Sequence, residues 1–369
     1  MTVAVPSDDE SERLFGVSLA QQKIQPVWLE IVNQTPHTYW FAPLGLDPNY
    51  FTPYEAANRC KYWFSSAANQ RMRAYFAASA IGSSVGPDER IAGFVFTNLD
   101  RGVKAVNVDL IGPDKFEQMF FMVNIPGMQA DYEEVDLEDF YTKEDIRDVN
   151  EDELRAALEA MPCCGTTKDG RGVEDPLNFV LVGTAEDVLP NFVRTGWHLT
   201  EILHRRAALQ TFWSYFFGGE YRHAPISPVY LFGRRQDLSL QKARQTARER
   251  NHLRIWLAPM RFDGKPVWIG QISRDIGLSF SWKTFVGHEV DPDVDEARSY
   301  LFQDMLRSEG LARFGWVKGV GAASPADPYY MDDGGPFFTD GLRAVMLFQE
   351  EALSFDEIQP FGWEKLPPR

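Results

Sequence analysis

Apolar and polar positions alternate with a period of two over much of the first third of the chain. From Pro26 to Thr35 (PVWLEIVNQT), Val27, Leu29 and Ile31 share one face of an extended chain, which predicts a strand. Three more such runs follow: IAGFVFTN from Ile91, VKAVNVDLIG from Val103 and FEQMFFMVNIPG from Phe116. Turn-forming stretches at 98–102 and 112–115 separate them. Helical patterns interrupt this region. Ser7-Asp8-Asp9-Glu10 is a capping box, in which a hydroxyl and a glutamate satisfy each other's backbone N–H, and Gly16 ends the short helix it opens. Thr52-Pro53-Tyr54-Glu55 is a second box with proline at its first helical position. A third helix over 66–80 places Met72, Tyr75 and Phe76 on one face, with Ala80 a turn further on. These pieces predict a β-sandwich-like domain with inserted helices over residues 1–130.

Beyond residue 176 the two periods mix. Asn178–Gly183 reads as a short buried strand, and Thr184 caps a helix ending at Gly196. Thr200 caps a longer helix stopped by Gly218-Gly219. Strands are predicted at 228–232, 251–258, 267–274, 311–318 and 342–348. Between the third and fourth of these, Asp291 caps a helix with Pro292 in its first turn and Asp293, Asp295 and Glu296 at its positive end, and Gly310 stops it. The fold class is therefore α+β, with a C-terminal α+β domain over 176–369 built on a mainly antiparallel sheet. Residues 131–175 read as an acidic linker: 131–159 carries 13 acids against 3 bases, and the stretch ends in the loop-forming CCGTTKDGRG.

Composition narrows the function classes. A hydrophobic fraction of 44% supplies material for packed cores. No run approaches the ~18 apolar residues of a membrane helix, so no transmembrane segment is expected. A net charge of −16 argues against nucleic acid as a partner, because phosphate backbones are bound by clustered Lys and Arg. The three cysteines make no disulfide framework: Cys60 is isolated, and Cys163 and Cys164 are too close to pair without straining the peptide between them. The chain begins inside a strand-like alternation without a secretory signal pattern, so a leader or lipid-anchor segment is expected to precede it.

Three motifs fail on context. Gly82-Ser83-Ser84-Val85-Gly86 has the lettering of a nucleophile elbow, but a helix precedes it where a strand is required. Gly319-Val320-Gly321 follows a strand, yet Pro325 and Pro328 forbid the helix that would hold a pyrophosphate. His198, Glu201 and His204 would spread over a wide arc of a helix.

The hairpin NHLRIWLAPMRFDGKPVWIGQISRD, Asn251 to Asp275, carries the chemistry. Asp263-Gly264 is a preferred two-residue turn. Without a bulge it sets His252 opposite Asp275, Arg254 opposite Ser273 and Trp256 opposite Gln271, while Leu253, Ile255 and Leu257 face the core. Such a polar face is also what a solvated sheet surface shows. As a site, His252, Asp275 and Arg254 are the catalytic candidates, a general-base pair with an arginine for an anion. Arg274, Trp256 and Ser273 are ligand-binding candidates. The following GHEVDPDVD adds His288, Asp291 and Asp295, which could hold a divalent metal.

At these residues the sequence resembles the LssY C-terminal domain family of bacteria. The matching text is PLNFVLVG near 176–183, SPVYLFGRRQDLSLQKA at 227–243, NHLRIWLAP at 251–259, PVWIGQISRD at 266–275 and HEVDPDVDEARSYL at 288–301, within a span of about 176–350. The family's domain has no assigned activity. In some members it is joined to membrane domains resembling phosphatidic-acid phosphatases, and no such segment is read in these 369 residues, so that activity is not carried over. The resemblance implies a cell-envelope location on the periplasmic side, with the cytoplasm as the alternative. It also implies an accessory or binding module for an envelope protein or lipid-related ligand. A hydrolase of a phosphorylated or lipid-like substrate and a structural partner in an envelope assembly are the other two expectations.

Overall fold

The alternating runs of the first region become strands in two antiparallel sheets. The computed structural model describes residues 1–100, 103–113, 116–125, 140–142, 144–199, 228–243, 250–279, 287–332 and 334–367. The expected helix opened by Thr200, with Glu201 and His204, lies outside them. The chain divides into two units, Met1–Gln129 with Val193–Gly196, and Ala130–Phe192 with Trp197–Arg369.

In the first unit the elements run β1 (Thr2–Ala4), α1 (Asp8–Phe15), β2 (Ile24–Val32), β3 (Tyr39–Ala42), α2 (Pro53–Arg59), α3 (Ser66–Ser79), β4 (Ser84–Val85), β5 (Arg90–Asn98), β6 (Val103–Ile111) and β7 (Phe116–Asn124). One sheet has the order β1-β2-β5, the other β4-β3-β6-β7. Their inward residues, Val27, Leu29 and Ile31 from β2 and Val106, Val108 and Leu110 from β6 among them, meet in one apolar cluster. Both capping boxes form as the sequence predicts, and Gly16 closes α1 in the left-handed conformation. Met72 and Phe76 of α3 pack into a second cluster with Phe15, Phe51 and Phe96. Tyr75 stays on the exposed side, where its hydroxyl donates to the Leu14 carbonyl at 2.9 Å. Ala80 has already turned to extended backbone.

The second unit contains β8 (Arg147–Val149), α4 (Glu151–Ala160), β9 (Cys164–Thr166), β10 (Val173–Pro176), β11 (Phe179–Val182), α5 (Ala185–Arg194), β12 (His198–Leu199), β13 (Tyr230–Leu231), β14 (Arg234–Arg235), β15 (Leu238–Ala243), β16 (Arg250–Phe262), β17 (Lys265–Ser279), β18 (Gly287–Val290), α6 (Val294–Leu306), β19 (Leu311–Lys318), β20 (Tyr329–Tyr330), β21 (Pro336–Phe337), β22 (Leu342–Phe348) and β23 (Gln359–Pro360). Among the described residues its main sheet has ten strands, in the path β12-β15-β16-β17-β11-β22-β19-β23, with β18 on β17 and β8 on β16. Pairing is antiparallel except for β11–β22, β8–β16 and β19–β23. The strand β11 is buried throughout: Phe179 and Leu181 enter one cluster, with Leu253, Ile255, Leu301 and Met305, while Val180 and Val182 enter the other, with Trp256, Ile269 and Val345. A central strand covered on both faces reads as an unbroken apolar run, as FVLV does. Among the described residues no helix is long and apolar enough to cross a membrane.

Much of the acidic stretch is part of this unit rather than a free connection. Within the expected linker, β8 pairs with β16, and Leu154 and Leu158 of α4 are fully buried in the second cluster. The acids of α4 occupy its first turn and solvent face, where they favour the helix N-terminus. Arg343 of β22 is buried and donates to the carbonyls of Leu158, Met161 and Pro162 at the end of α4, and to those of Leu177 and Gly319. Burial pushes its guanidinium down to about 10. Cys163 and Cys164, expected to stay apart, are joined by a disulfide. The bond closes an eight-membered ring around the intervening peptide, where Cys164 pairs with Pro176 across to β10.

Candidate functional site

The hairpin β16–β17 forms at the predicted turn, with Asp263 and Gly264 both in the left-handed region. Its register changes along the ladder. Next to the turn Arg261 faces Pro266 and Phe262 faces Lys265, as an unbulged hairpin requires. Between Leu257 and Arg261 the register shifts, and beyond it Arg250 faces Asp275, His252 faces Ser273 and Arg254 faces Gln271. The expected pairings, His252 with Asp275, Arg254 with Ser273 and Trp256 with Gln271, are thus each displaced by two residues. The cause lies at Pro259, which has no N–H to give the ladder. Side chains take over the neighbouring backbone: Asp237 accepts from the Leu257 N–H at 2.7 Å, and Arg234 and Tyr141 donate to its carbonyl. A shift of two keeps each side chain on its face, because the side-chain period is two.

The polar residues therefore still converge, and they are buried. His252 is 6% exposed, Ser273 1% and Asp275 1%. The imidazole stands between the two strands' polar groups, with Nε2 3.0 Å from Ser273 Oγ and Nδ1 3.3 Å from Asp275 Oδ1. The Asp275 contact is a diagonal one across the ladder. Arg250 Nε donates to Asp275 Oδ2 at 3.0 Å and its other arm to Gln241 of β15 at 2.6 Å. Arg254 pairs with Asp175 of β10 at 3.2 Å. Glu174, next to Asp175 in β10, adds its own attraction to Arg254. Burial lowers the His252 pKa below its ordinary value, against the pull of Asp275 toward the charged form. The neutral ring is thereby favoured. Burial also lowers the Arg254 pKa, opposed by Asp175.

Chemically, Ser273, His252 and Asp275 are arranged as a hydroxyl, an imidazole and a carboxylate in sequence, with the Nδ1–Asp275 contact at ion-pair distance but not aligned as a hydrogen bond. With the ring proton on Nδ1, facing Asp275, Nε2 is free to accept from the serine hydroxyl. Gln271 Nε2 is buried beside these groups with no hydrogen-bond partner among the described residues.

The remaining candidates sit elsewhere. Trp256 is fully buried in the apolar cluster at the turn-proximal end of the same face. Arg274 points to the opposite face, where it donates to Asn251 Oδ1 at 3.0 Å and lies over the Tyr300 ring. The strand period settles this, since 274 and 275 cannot share a face. Asp291 does not cap α6: its N–H donates to the Arg274 carbonyl, which holds it at the strand end, and Asp293 caps the helix by accepting from the Asp295 N–H. Asp295 accepts from Thr339 Oγ1 and the Asp340 N–H, both at 2.7 Å, and pairs with Arg298 at 3.2 Å. Both its oxygens are thus engaged by the protein. Burial nevertheless raises its pKa, with Arg298 opposing. The backbone of His288 pairs with Leu278, and its side chain lies outside the described residues. Among the described residues no three His, Cys, Asp or Glu side chains are grouped to hold a metal.

Two residues of the cluster were missed from sequence. Arg250 has the parity of His252 and Arg254, so extending the strand by one step would have found it. Asp175 comes from a strand with no alternation to signal it.

The profile of the family described as LssY C-terminus matches residues 156–342, just over half of the chain. The chain belongs to the LssY C-terminus family. The match begins inside α4, earlier than the resemblance near 176 implies, and so includes α4's end, the cysteine pair and β10. All of the His252 cluster falls within the LssY C-terminus region. No curated protein and no solved structure matches the chain.

Proposed function

We propose that this protein is an accessory binding module of the bacterial cell envelope, and that its buried polar layer serves structure rather than turnover. The observation that supports this reading is the closure of the layer: its hydroxyl, Ser273, is 1% exposed, and the arginines beside it are engaged by buried aspartates. Buried ion pairs and hydrogen bonds of this kind pin one register and one packing of the hairpin, with Gln271 Nε2 the amide they leave over. The first unit carries an open apolar pocket of about 120 Å³ lined by Phe41, Tyr50, Phe51, Ile81, Phe94 and Phe96. That is the order of volume that holds a benzene-sized group, and it suits a ring or short acyl segment of a lipid-related ligand. The envelope location rests on the family resemblance.

A second reading, a serine-type hydrolase of a lipid-like or phosphorylated substrate, is favoured by the Ser273–His252–Asp275 arrangement. A fluorophosphonate probe separates the two. The accessory reading expects no labelling of the full chain and no difference between it and Ser273→Ala. Stoichiometric labelling that Ser273→Ala and His252→Ala abolish would establish the hydrolase and end the accessory reading.

A further inference from the structure

The chain between α2 and α3 puts aromatic rings into solvent in a way nothing in the fold requires. Trp63 is 88% exposed and Phe64 101%, with Tyr62 beside them and Tyr54 on α2 also exposed. Large exposed rings at a single tip are unusual on a soluble surface. The tip is also anchored. Asn69 of α3 both accepts from the Tyr62 N–H and donates to its carbonyl, each at 2.8 Å, and Ser65 caps α3 through the Ala68 N–H. The two helices pack against each other, so the rings sit at the turn of a helical hairpin.

The charge around the tip runs against that of the molecule. From Ala56 to Pro87 there is no acid, while Arg59, Lys61, Arg71 and Arg73 are all present and exposed, in a chain of net charge −16. Glu55, the nearest acid before this stretch, is committed to the capping box at the start of α2. The outer side of α3 adds the small residues Ala67, Ala74, Ala77 and Ala78; of the cations, Arg59 lies over the Phe51 ring at 4.6 Å and Arg73 donates to Asn58 Oδ1 at 3.4 Å, and both remain exposed.

We propose that the α2–α3 hairpin is a docking tip for an anionic lipid surface, with Trp63 and Phe64 entering the interface and Arg59, Lys61, Arg71 and Arg73 meeting the headgroups. Aromatic rings settle at the headgroup level because they join an apolar body to a polar edge or a quadrupole. Basic side chains add attraction to an anionic leaflet that falls off within a Debye length. The pairing of a projecting apolar tip with a cationic surround suits a bilayer. A second copy of this chain would bring its own large negative charge, and a flat protein interface would not need both rings to project.

The test is co-sedimentation of the full chain with vesicles of phosphatidylcholine containing roughly 30% phosphatidylglycerol, and with phosphatidylcholine alone. The expected result is binding to the anionic vesicles that added salt weakens, and little to the neutral ones. Trp63→Ala with Phe64→Ala should cut partitioning about tenfold or more, and Lys61→Glu with Arg71→Glu should do the same independently. These residues are exposed, so unchanged circular dichroism should accompany both losses. Absence of binding to anionic vesicles, or binding that neither variant alters, overturns the proposal. A dimer in solution that the aromatic variant dissociates, without vesicle binding, would assign the tip to a second copy instead. None of these outcomes depends on whether Ser273 is reactive.

Discussion

His252 shows how a residue's environment decides its chemistry. In water an imidazole titrates near pH 6.5, but in the buried layer the neutral ring is favoured and the pKa falls. The unfolded chain then takes up a proton at higher pH than the folded protein does. Stability from this group is fully present above the unfolded value near 6.5 and is lost as the pH falls below it toward the folded pKa. Thermal melts from pH 7.5 down to 5 should show the melting temperature dropping below about 6.5. His252→Gln, which cannot take up the proton, should have a flatter profile across that window. A steeper acid loss in the variant would mean that other groups carry the dependence. Asp275 restrains the effect, because its carboxylate favours the charged ring, but Arg250 already shares that carboxylate.

At the scale of elements, the hairpin succeeds through two local devices and one distant one. Asp263-Gly264 supplies the left-handed turn, and alternation supplies the faces. The irregularity near Pro259 is held by Arg234 and Asp237, whose own ion pair closes at 2.8 Å from another part of the unit. Close packing of β17 on β11 adds a further constraint. A side chain at Gly270 would start 2.2 Å from the Phe179 ring, which is fully buried. Gly270→Ala should therefore destabilise the second unit by about 1–3 kcal/mol, the usual cost of overpacking a well-filled core. Chemical denaturation measures it. A loss near zero would show that Phe179 has room to move. Gly264→Ala, by contrast, meets open space and pays only for its positive φ, so its cost should be nearer 1 kcal/mol.

For the whole molecule, the question is where the second unit begins. The acidic region was expected to be linker up to 175, yet α4 contributes Leu154 and Leu158 to the core and its last carbonyls satisfy Arg343. A fragment of residues 140–369 should unfold cooperatively on its own. One of residues 176–369, cut at the expected domain start, leaves Arg343 buried without three of its acceptors and should not. Urea melts followed by tryptophan fluorescence distinguish them. Equal cooperativity in both fragments would show that α4 is dispensable and that the shorter boundary is sufficient.

Local chemistry written in consecutive residues was legible from sequence alone. The capping boxes, the Asp-Gly turn, the strands at 311–318 and 342–348 and the α+β class all depend on backbone propensity and periodicity, which neighbours in the chain determine. The convergence of His252, Ser273 and Asp275 on one face was legible for the same reason, since parity survives a two-residue shift. Tertiary structure decided the rest. The shifted register at Pro259 is held by Arg234 and Asp237 on the Leu257 backbone, and the partner of Arg254 arrives from β10. Whether the polar face would be wet or sealed was open, because exposure belongs to whatever covers a sheet and not to the strand that carries it. Asp295 follows the same logic: its acidity read as a ligand, but Thr339, Asp340 and Arg298, brought from the chain's far end and the next helical turn, occupy it.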